Sequence, residues 1–313
     1  MSNNDYSEHG PWGPLDCSPS RLKTFLDCAM KYKYSYVDKK PRSTGPAALQ
    51  GSALHEVFLE EYLTGGIEDI DALIEMLALD TEHRLNTEDP RDWKSKLPLT
   101  SSEKWLAIEQ VKVWGRGLLE AYKAGEDSYG NKFVLPDVEQ TEYEGCMEIY
   151  LPKANLTIRI RGYIDLVFKD GTVGDLKLAS DYWLSIWTLA KAIGEQQPAM
   201  YAKMAGTDTF RYVIVDKKKA RDKSADPPRV RTIDYKVTEK DNANLMAQLE
   251  TFVRLTDFAN GHENGIFAVN PEYNGQSKAN AGKTEQNFCG KMCDFKETCF
   301  KENFARPPVD TEQ

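Results

Sequence analysis

Apolar residues recur at helical spacing through the first third of the chain. Leu22, Phe25, Leu26 and Ala29 define a first helix. Ser18 stands at its N-cap and Pro19 at its first position, where a missing N–H costs nothing. Cys28 falls near the end of that helix, ahead of the aromatic and basic run MKYKYSYVDKK. Residues 41–48 read as a Pro/Gly loop. A second helix is predicted over GSALHEVFLEEYL, with Leu54, Val57 and Phe58 along one side and His55 on its more buried part. Helical spacing continues through IEDIDALIEMLAL and SSEKWLAIEQVKVWGRGLLEAYKAG, with a loop over residues 86–98 between them.

From Phe133 the period changes to two. VLPDVEQTEYEGCMEIYL reads as one strand turning into another, and residues 156–168 and 172–177 extend the series into an antiparallel meander. Asp170-Gly171 supplies a tight turn. A helix is predicted from Asp181 to about Ala205, kinked or restarted at Pro198. Strands follow at residues 210–215 and 230–237, then an amphipathic helix over residues 241–260. Residues 261–287 are polar and irregular. This order argues an α/β fold with a mixed sheet.

The chain has 313 residues, 41% hydrophobic and 28% charged, the balance of a globular protein with a sizeable core. Its longest apolar runs fall far short of the roughly 20 residues that cross a bilayer. The N-terminal stretch MSNNDYSEHGPWG lacks a basic-then-apolar pattern, so a cytosolic location is expected and a membrane role is not. The net charge of −9 does not advertise nucleic-acid binding. Two local basic regions, residues 21–42 and 217–231, carry the opposite sign; as charge alone they read as solvated surface.

The segment RIRGYIDLVFKDGTVGDLKLA, residues 159–179, changes that picture. Asp165 and Asp175 fall on two consecutive strands, and Lys177 shares a face with Asp175 because side chains alternate along a strand. Folding the hairpin brings the two carboxylates together, where they repel unless a cation lies between them. By itself the segment is equally a surface hairpin with solvated charges. Gln197 and Tyr201, four apart, share a helix face. Of the six cysteines, Cys289, Cys293 and Cys299 follow a Cys-x3-Cys-x5-Cys pattern. In a cytosolic chain this clustering points to metal, with Cys28 or Cys17 as a distant fourth ligand. Four thiolates suit a 4Fe–4S cluster or tetrahedral zinc. Cys146, on a predicted strand, reads as a small core residue.

His55, Asp165, Asp175-x-Lys177 and Gln197-x3-Tyr201, in this order, resemble the RecB-like branch of the PD-(D/E)XK nuclease superfamily. Cys28 with Cys289, Cys293 and Cys299 resembles the iron–sulfur subset, which includes AddB-type nucleases and CRISPR-associated RecB-like exonucleases. The blocks SPSRLKTFLDCAMKY, GSALHE, GYIDLV, GDLKLA, QPAMY and the cysteine tail carry the likeness across nearly the whole chain. It implies a restriction-endonuclease-like core with a mixed central sheet flanked by helices, a helical subdomain, and a Cys-ligated lobe joining the N- and C-termini. Residues 1–50, 51–130, 131–237 and 238–313 would be the parts of one integrated domain. The resemblance implies Mg2+ or Mn2+ held by His55, Asp165, Asp175 and the Leu176 carbonyl. Lys177 would orient or deprotonate a water, and Gln197 and Tyr201 would contact the DNA strand or brace the site. It also implies a 4Fe–4S cluster on Cys28, Cys289, Cys293 and Cys299, with zinc as the alternative; the Cys289-x3-Cys293 interval is one residue longer than the family spacer. The implied function is a DNA exonuclease of phage or prokaryotic recombination, repair or replication, acting alone or with a separate helicase or recombination protein. The alternatives are a nuclease of CRISPR adaptation and a catalytically inactive DNA-binding or scaffold protein.

Overall fold

The computed structural model describes residues 13, 15–42, 44–88, 90–91, 97–180, 195–217, 225–268 and 293–303. A short strand, β1 (Asp16–Cys17), leads into α1 (Pro19–Asp27), whose N-cap Ser18 accepts from the Arg21 backbone N–H as the sequence predicts. Cys28, in extended conformation, separates α1 from α2 (Ala29–Tyr32), which runs into a π-helical turn over Lys33–Val37. Helix α3 (Pro46–His55) then passes into a second π-helical segment, Glu56–Thr64. It begins earlier than expected. Residues 46–48 belong to it because Gly45 caps the helix and Pro46 pre-sets its first turn. Helices α4 (Ile70–Thr87) and α5 (Ser101–Ala124) complete the helical layer, α5 opening on a capping box between Thr100 and Glu103.

The sheet contains β2 (Val138–Leu151), β3 (Leu156–Phe168), β4 (Val173–Ser180), β5 (Thr209–Lys217) and β6 (Arg229–Lys236) besides β1. It is mixed: β1 with β3 and β4 with β5 are parallel, and the other pairs are antiparallel. The stretch expected to turn from one strand into another is instead one continuous strand, β2. Gly145 serves close packing, since a Cβ there would lie 3.3 Å from Met204 Cβ and 3.1 Å from its sulfur. The reversal comes in the turn after Leu151, where Asn155 takes φ +48.

Helices cover both faces. Ile160, Tyr212 and Ile214 pack with Leu22 and Phe25 of α1, with Met200 of α6 (Gln197–Ala205), and with Leu249 and Phe252 of α7 (Glu239–Leu255). Leu166, Leu176 and Val213 pack with Leu54, Leu77 and Trp114 of the helical layer. Helix α7 ends at Leu255 rather than near residue 260, because Asp257 enters the left-handed region at φ +51. Pro198 lies in the first turn of α6; residues 181–194 of the helix expected there are outside the described residues, as are residues 218–224 of the second basic region. The last helix, α8 (Lys296–Asn303), meets the N-terminal π turn. There Tyr34 packs 5.3 Å from Phe295 and its hydroxyl donates to Glu302 at 2.6 Å. Among the described residues, no helix is long and apolar enough to cross a membrane.

Candidate metal centre

One edge of β3 is shared by two partners. Near its end Leu166 and Val167 pair with Gly174 and Val173 of β4, and near its start Arg159 and Ile160 pair with Asp16 and Cys17 of β1. Between these contacts β3 and β4 part. The register carries Asp165 opposite Asp175 at the point where the ladder stops. Asp165 compensates there, its Oδ2 accepting the Leu176 N–H at 2.7 Å. Strand β4 keeps its line through the parallel ladder to β5, from Val173 to Ser180.

His55 reaches the same gap from the end of α3. Its Nε2 lies 2.8 Å from the Leu176 carbonyl oxygen, and its Nδ1 lies 3.6 Å from Asp165 Oδ2. With the ring proton on Nε2, the Leu176 carbonyl is satisfied and the Nδ1 lone pair faces a carboxylate. At that separation the two atoms are not hydrogen-bonded. Glu142 completes the arrangement, a residue the sequence reading missed. It sits on β2 between the Thr141–Leu166 and Tyr143–Ile164 pairs, so its register partner is Asp165. Its φ of +48 is unusual for a non-glycine residue within a strand and points to a local functional constraint. One ligand atom from each of His55, Glu142 and Asp165 falls within 4.8 Å of the other two.

Burial and mutual repulsion set the electrostatics. Burial, then the Asp175 charge, pushes Asp165 well above the usual carboxylate range. Glu142 is pushed up to about 7 by burial, then by Glu60 and Asp175. Burial lowers the His55 pKa against the opposing pull of Asp175, which keeps the imidazole neutral and its lone pair available. Lys177 answers part of this negative charge, with Nζ 2.5 Å from Asp175 Oδ2. Burial works against its charged form, but Asp175 and Asp165 outweigh burial and raise its pKa.

Gln197, at the start of α6, donates to Asp175 Oδ1 at 2.5 Å. Tyr201, one turn on, is buried, and burial raises its phenol above the ordinary range. Its ring lies over Gly162, where a Cβ would come 3.1 Å from Tyr201 Cε1 and 3.4 Å from Pro19 Cδ. The structure therefore gathers His55, Asp165, Asp175, Leu176, Lys177 and Gln197 directly, and attaches Tyr201 through packing on the β3 edge.

The cysteines lie elsewhere. Cys28 and Cys293 are buried and Cys299 is half-buried, with Cys293 and Cys299 packing beside Tyr34, Phe295 and Met30. Burial raises the Cys293 thiol, and the charge of Cys28 adds to that rise. Cys289 lies outside the described residues. Cys17 is fully buried in the main core, away from a ligand role, and Cys146 is half-buried on β2. Among the described residues, His55, Glu142 and Asp165 are the one set of three candidate metal ligands within 4.8 Å; Cys28, Cys293 and Cys299 do not gather at that spacing.

A family model described as the PD-(D/E)XK nuclease superfamily matches residues 16–300. No curated protein matches the chain. Among solved structures, an exonuclease candidate from Eubacterium rectale is similar at 13% identity and a TM-score of 0.47, covering 90% of this chain and 92% of that one. The protein SSO0001 is similar at 19% identity and a TM-score of 0.29, covering 50% of this chain and 68% of that one.

Proposed function

The chain belongs to the PD-(D/E)XK nuclease superfamily, and from that premise we propose that it is a divalent-metal-dependent deoxyribonuclease that degrades DNA from strand ends. The observation that carries this reading is the convergence of His55, Glu142, Asp165 and the Asp175–Lys177 pair on the gap between β3 and β4. Carboxylate oxygens with one imidazole suit a hard divalent cation, Mg2+ or Mn2+, and the imidazole favours Mn2+. Such a cation, when bound, neutralises charge on a scissile phosphate and acidifies a coordinated water.

The chain's own residues divide the remaining work. Asp165 and Glu142 present carboxylates across the β2–β3 pair, and Asp175 presents one from β4. Gln197 fixes the rotamer of Asp175. Lys177 places a positive charge beside the reacting phosphate, which stabilises negative charge as it develops. Tyr201 braces α6 against the β3 edge. The order of these motifs supports a RecB-like assignment. RecB-like members usually process strand ends, which is the end-directed cleavage proposed here.

Cys28, Cys289, Cys293 and Cys299 form, in this reading, a 4Fe–4S clasp between the N-terminal helices and the C-terminal tail. Tetrahedral zinc on the same four thiolates is the alternative. The Tyr34–Glu302 hydrogen bond supports a clasp by joining the same two chain segments. Recombination, repair or replication in a phage or prokaryotic cytoplasm, with a separate helicase or recombination protein, is the setting that fits.

End-labelled single- and double-stranded oligonucleotides with Mn2+ or Mg2+ test the chemistry. The expected result is metal-dependent shortening from one end by the wild type and none by Asp175→Ala or Lys177→Ala. Cleavage by Lys177→Ala at the wild-type rate refutes the site, and a wild type inert with either metal refutes the activity. Iron analysis of purified protein decides between the cluster and zinc.

A further inference from the structure

Two guanidinium groups converge on one tyrosine ring near the start of α1, and the metal centre uses neither. Arg21 Cζ and Arg42 Cζ each lie 5.4 Å from the centroid of Tyr36. Arg21 is also tied to the sheet, its Nη1 donating to the Asp16 carbonyl of β1 at 2.8 Å. Tyr36 is braced from below by the buried Tyr32, with ring centroids 5.3 Å apart, and Tyr32 packs edge-on against Phe25 and Phe252. The chain turns back after the π segment, with Lys39 at φ +50 and the Lys40 N–H bonded to Tyr34 O, and this returns Arg42 to Tyr36. The nearby lysines are spent on ion pairs, Lys33 with Asp38 and Lys40 with Glu302. Among the described residues no carboxylate pairs with Arg42, which is exposed.

The position matters as much as the charge. Strand β1 occupies the β3 edge on the far side of the gap where β3 and β4 part. Helix α1 connects it to the metal centre: Pro19 packs beside Tyr201 over Gly162, and Lys23 pairs with Glu195 at 3.5 Å. The Glu195 charge also acts on Lys177. Glu195 and Lys23, which also pairs with Asp27 at 3.2 Å, thus link Lys177 to the helix that carries Arg21.

We propose that Arg21 and Arg42, held by Tyr36, clamp the phosphates of the DNA strand whose reacting bond lies in the metal centre. A guanidinium offers a planar fork that fits a phosphate at two points. Stacking on a fixed ring reduces the freedom such a side chain loses on binding. The two cations lie no further apart than twice their distance to the ring, a reach that suits neighbouring phosphates of one strand. The inference rests on the nuclease reading for its ligand but is tested by binding rather than cleavage.

The experiment is fluorescence anisotropy of labelled single-stranded oligothymidylate with the full chain, without divalent metal, across a series of salt concentrations. Arg42→Ala should flatten the slope of log affinity against log salt by about 0.7, equivalent to about 5-fold weaker binding at 0.1 M salt. Tyr36→Ala should weaken binding although it removes no charge, and Arg42→Lys should keep the slope but lose affinity. Lys236→Ala, which removes a charge at the opposite end of the sheet, should bind as the wild type does. Circular dichroism confirms that each variant is folded; should Tyr36→Ala fail that check, Arg42→Lys carries the geometric test. Equal slopes for Arg42→Ala and wild type, or no binding by the wild type, overturn the clamp. Loss of the slope difference with metal-dependent cleavage intact removes the clamp alone. An inert wild type that shows the slope difference removes the nuclease reading alone.

Discussion

Asp165→Asn separates the cost of the centre from its use. Asp165 is buried, its Oδ2 holds the Leu176 N–H, and Asp175 faces it across the parted strands. Two cross-strand carboxylates about 5 Å apart repel by roughly 3 kcal/mol at an effective dielectric constant near 20. Lys177, in contact with Asp175, cancels a good part of that, leaving a net cost of about 1–2 kcal/mol. Asparagine keeps an oxygen in the place of Oδ2 for the Leu176 N–H and removes the charge that faces Asp175. The metal-free variant should therefore melt about 1.5–3 °C above wild type at pH 7. The sign with pH follows from the raised pKa of Asp165. The native state binds a proton more tightly than the unfolded chain does, so wild-type stability falls as pH rises from the ordinary value of 3.8 through the raised one. The variant should lose that slope. It should also lose the thermal shift that Mn2+ gives the wild type, which amounts to about 2.7 kcal/mol at a hundredfold excess over the dissociation constant. Differential scanning fluorimetry with and without Mn2+, over a pH series, reads all three quantities. A metal-free variant less stable than wild type, or one that keeps the Mn2+ shift, refutes the argument.

Two other substitutions probe the frame. Gly162→Ala puts a methyl 3.1 Å from the Tyr201 ring and 3.4 Å from Pro19; urea denaturation should show a loss of about 1–3 kcal/mol, as overpacking does, and α6 should shift enough to slow cleavage. Asp16→Asn removes one of the two acids on buried Arg161, at 3.2 Å beside Glu144 at 3.0 Å, and the partner of Arg159 at 2.6 Å, and should cost about 1.5–3 kcal/mol in urea denaturation at neutral pH. Burial opposes the Asp16 charge, but bonds from Arg159, Gly13 and Arg161 lower its pKa, so the wild type should keep this contribution above pH 3.8 and lose it as pH falls through the lowered value.

Local chemistry was legible where a residue type had one structural use. Ser18-Pro19 marks a helix start, and Gly171, at φ +82, closes the β3–β4 turn as Asp170-Gly171 predicts. The apposition of Asp165 and Asp175 followed from that turn. The continuity of β2 was not legible because a glycine in a strand pattern serves a turn and a close approach equally well, and Met204, against which Gly145 packs, lies on a helix 59 positions later. Glu142 was hidden for a similar reason. A glutamate in an alternating pattern reads as a solvated face, and its place beside His55 depends on the packing of α3 against the sheet. The first basic region read as surface charge because cation–aromatic pairing depends on a turn that brings Arg42 back to Tyr36. The π-helical register after His55 left no mark in the spacing of apolar residues.

The parted strands explain why ligands from three distant segments meet in one place. A continuous β3–β4 ladder would satisfy Leu176 through backbone groups and leave no room between Asp165 and Asp175. Here two side chains replace that ladder: Asp165 takes the Leu176 N–H, and His55 takes its carbonyl. The candidate ligands therefore also stitch the sheet, which places a structural demand on residues that a metal would recruit. β1 fills the same β3 edge farther along, so the opening is bounded on both sides and cannot simply widen into a second sheet. Gly162 lies within that bounded stretch, where the absence of a side chain lets Tyr201 close over the edge. A strand edge left unpaired inside a sheet is ordinarily a liability; in this chain it is closed from above by α6, at its end by α1, and from within by the acids themselves.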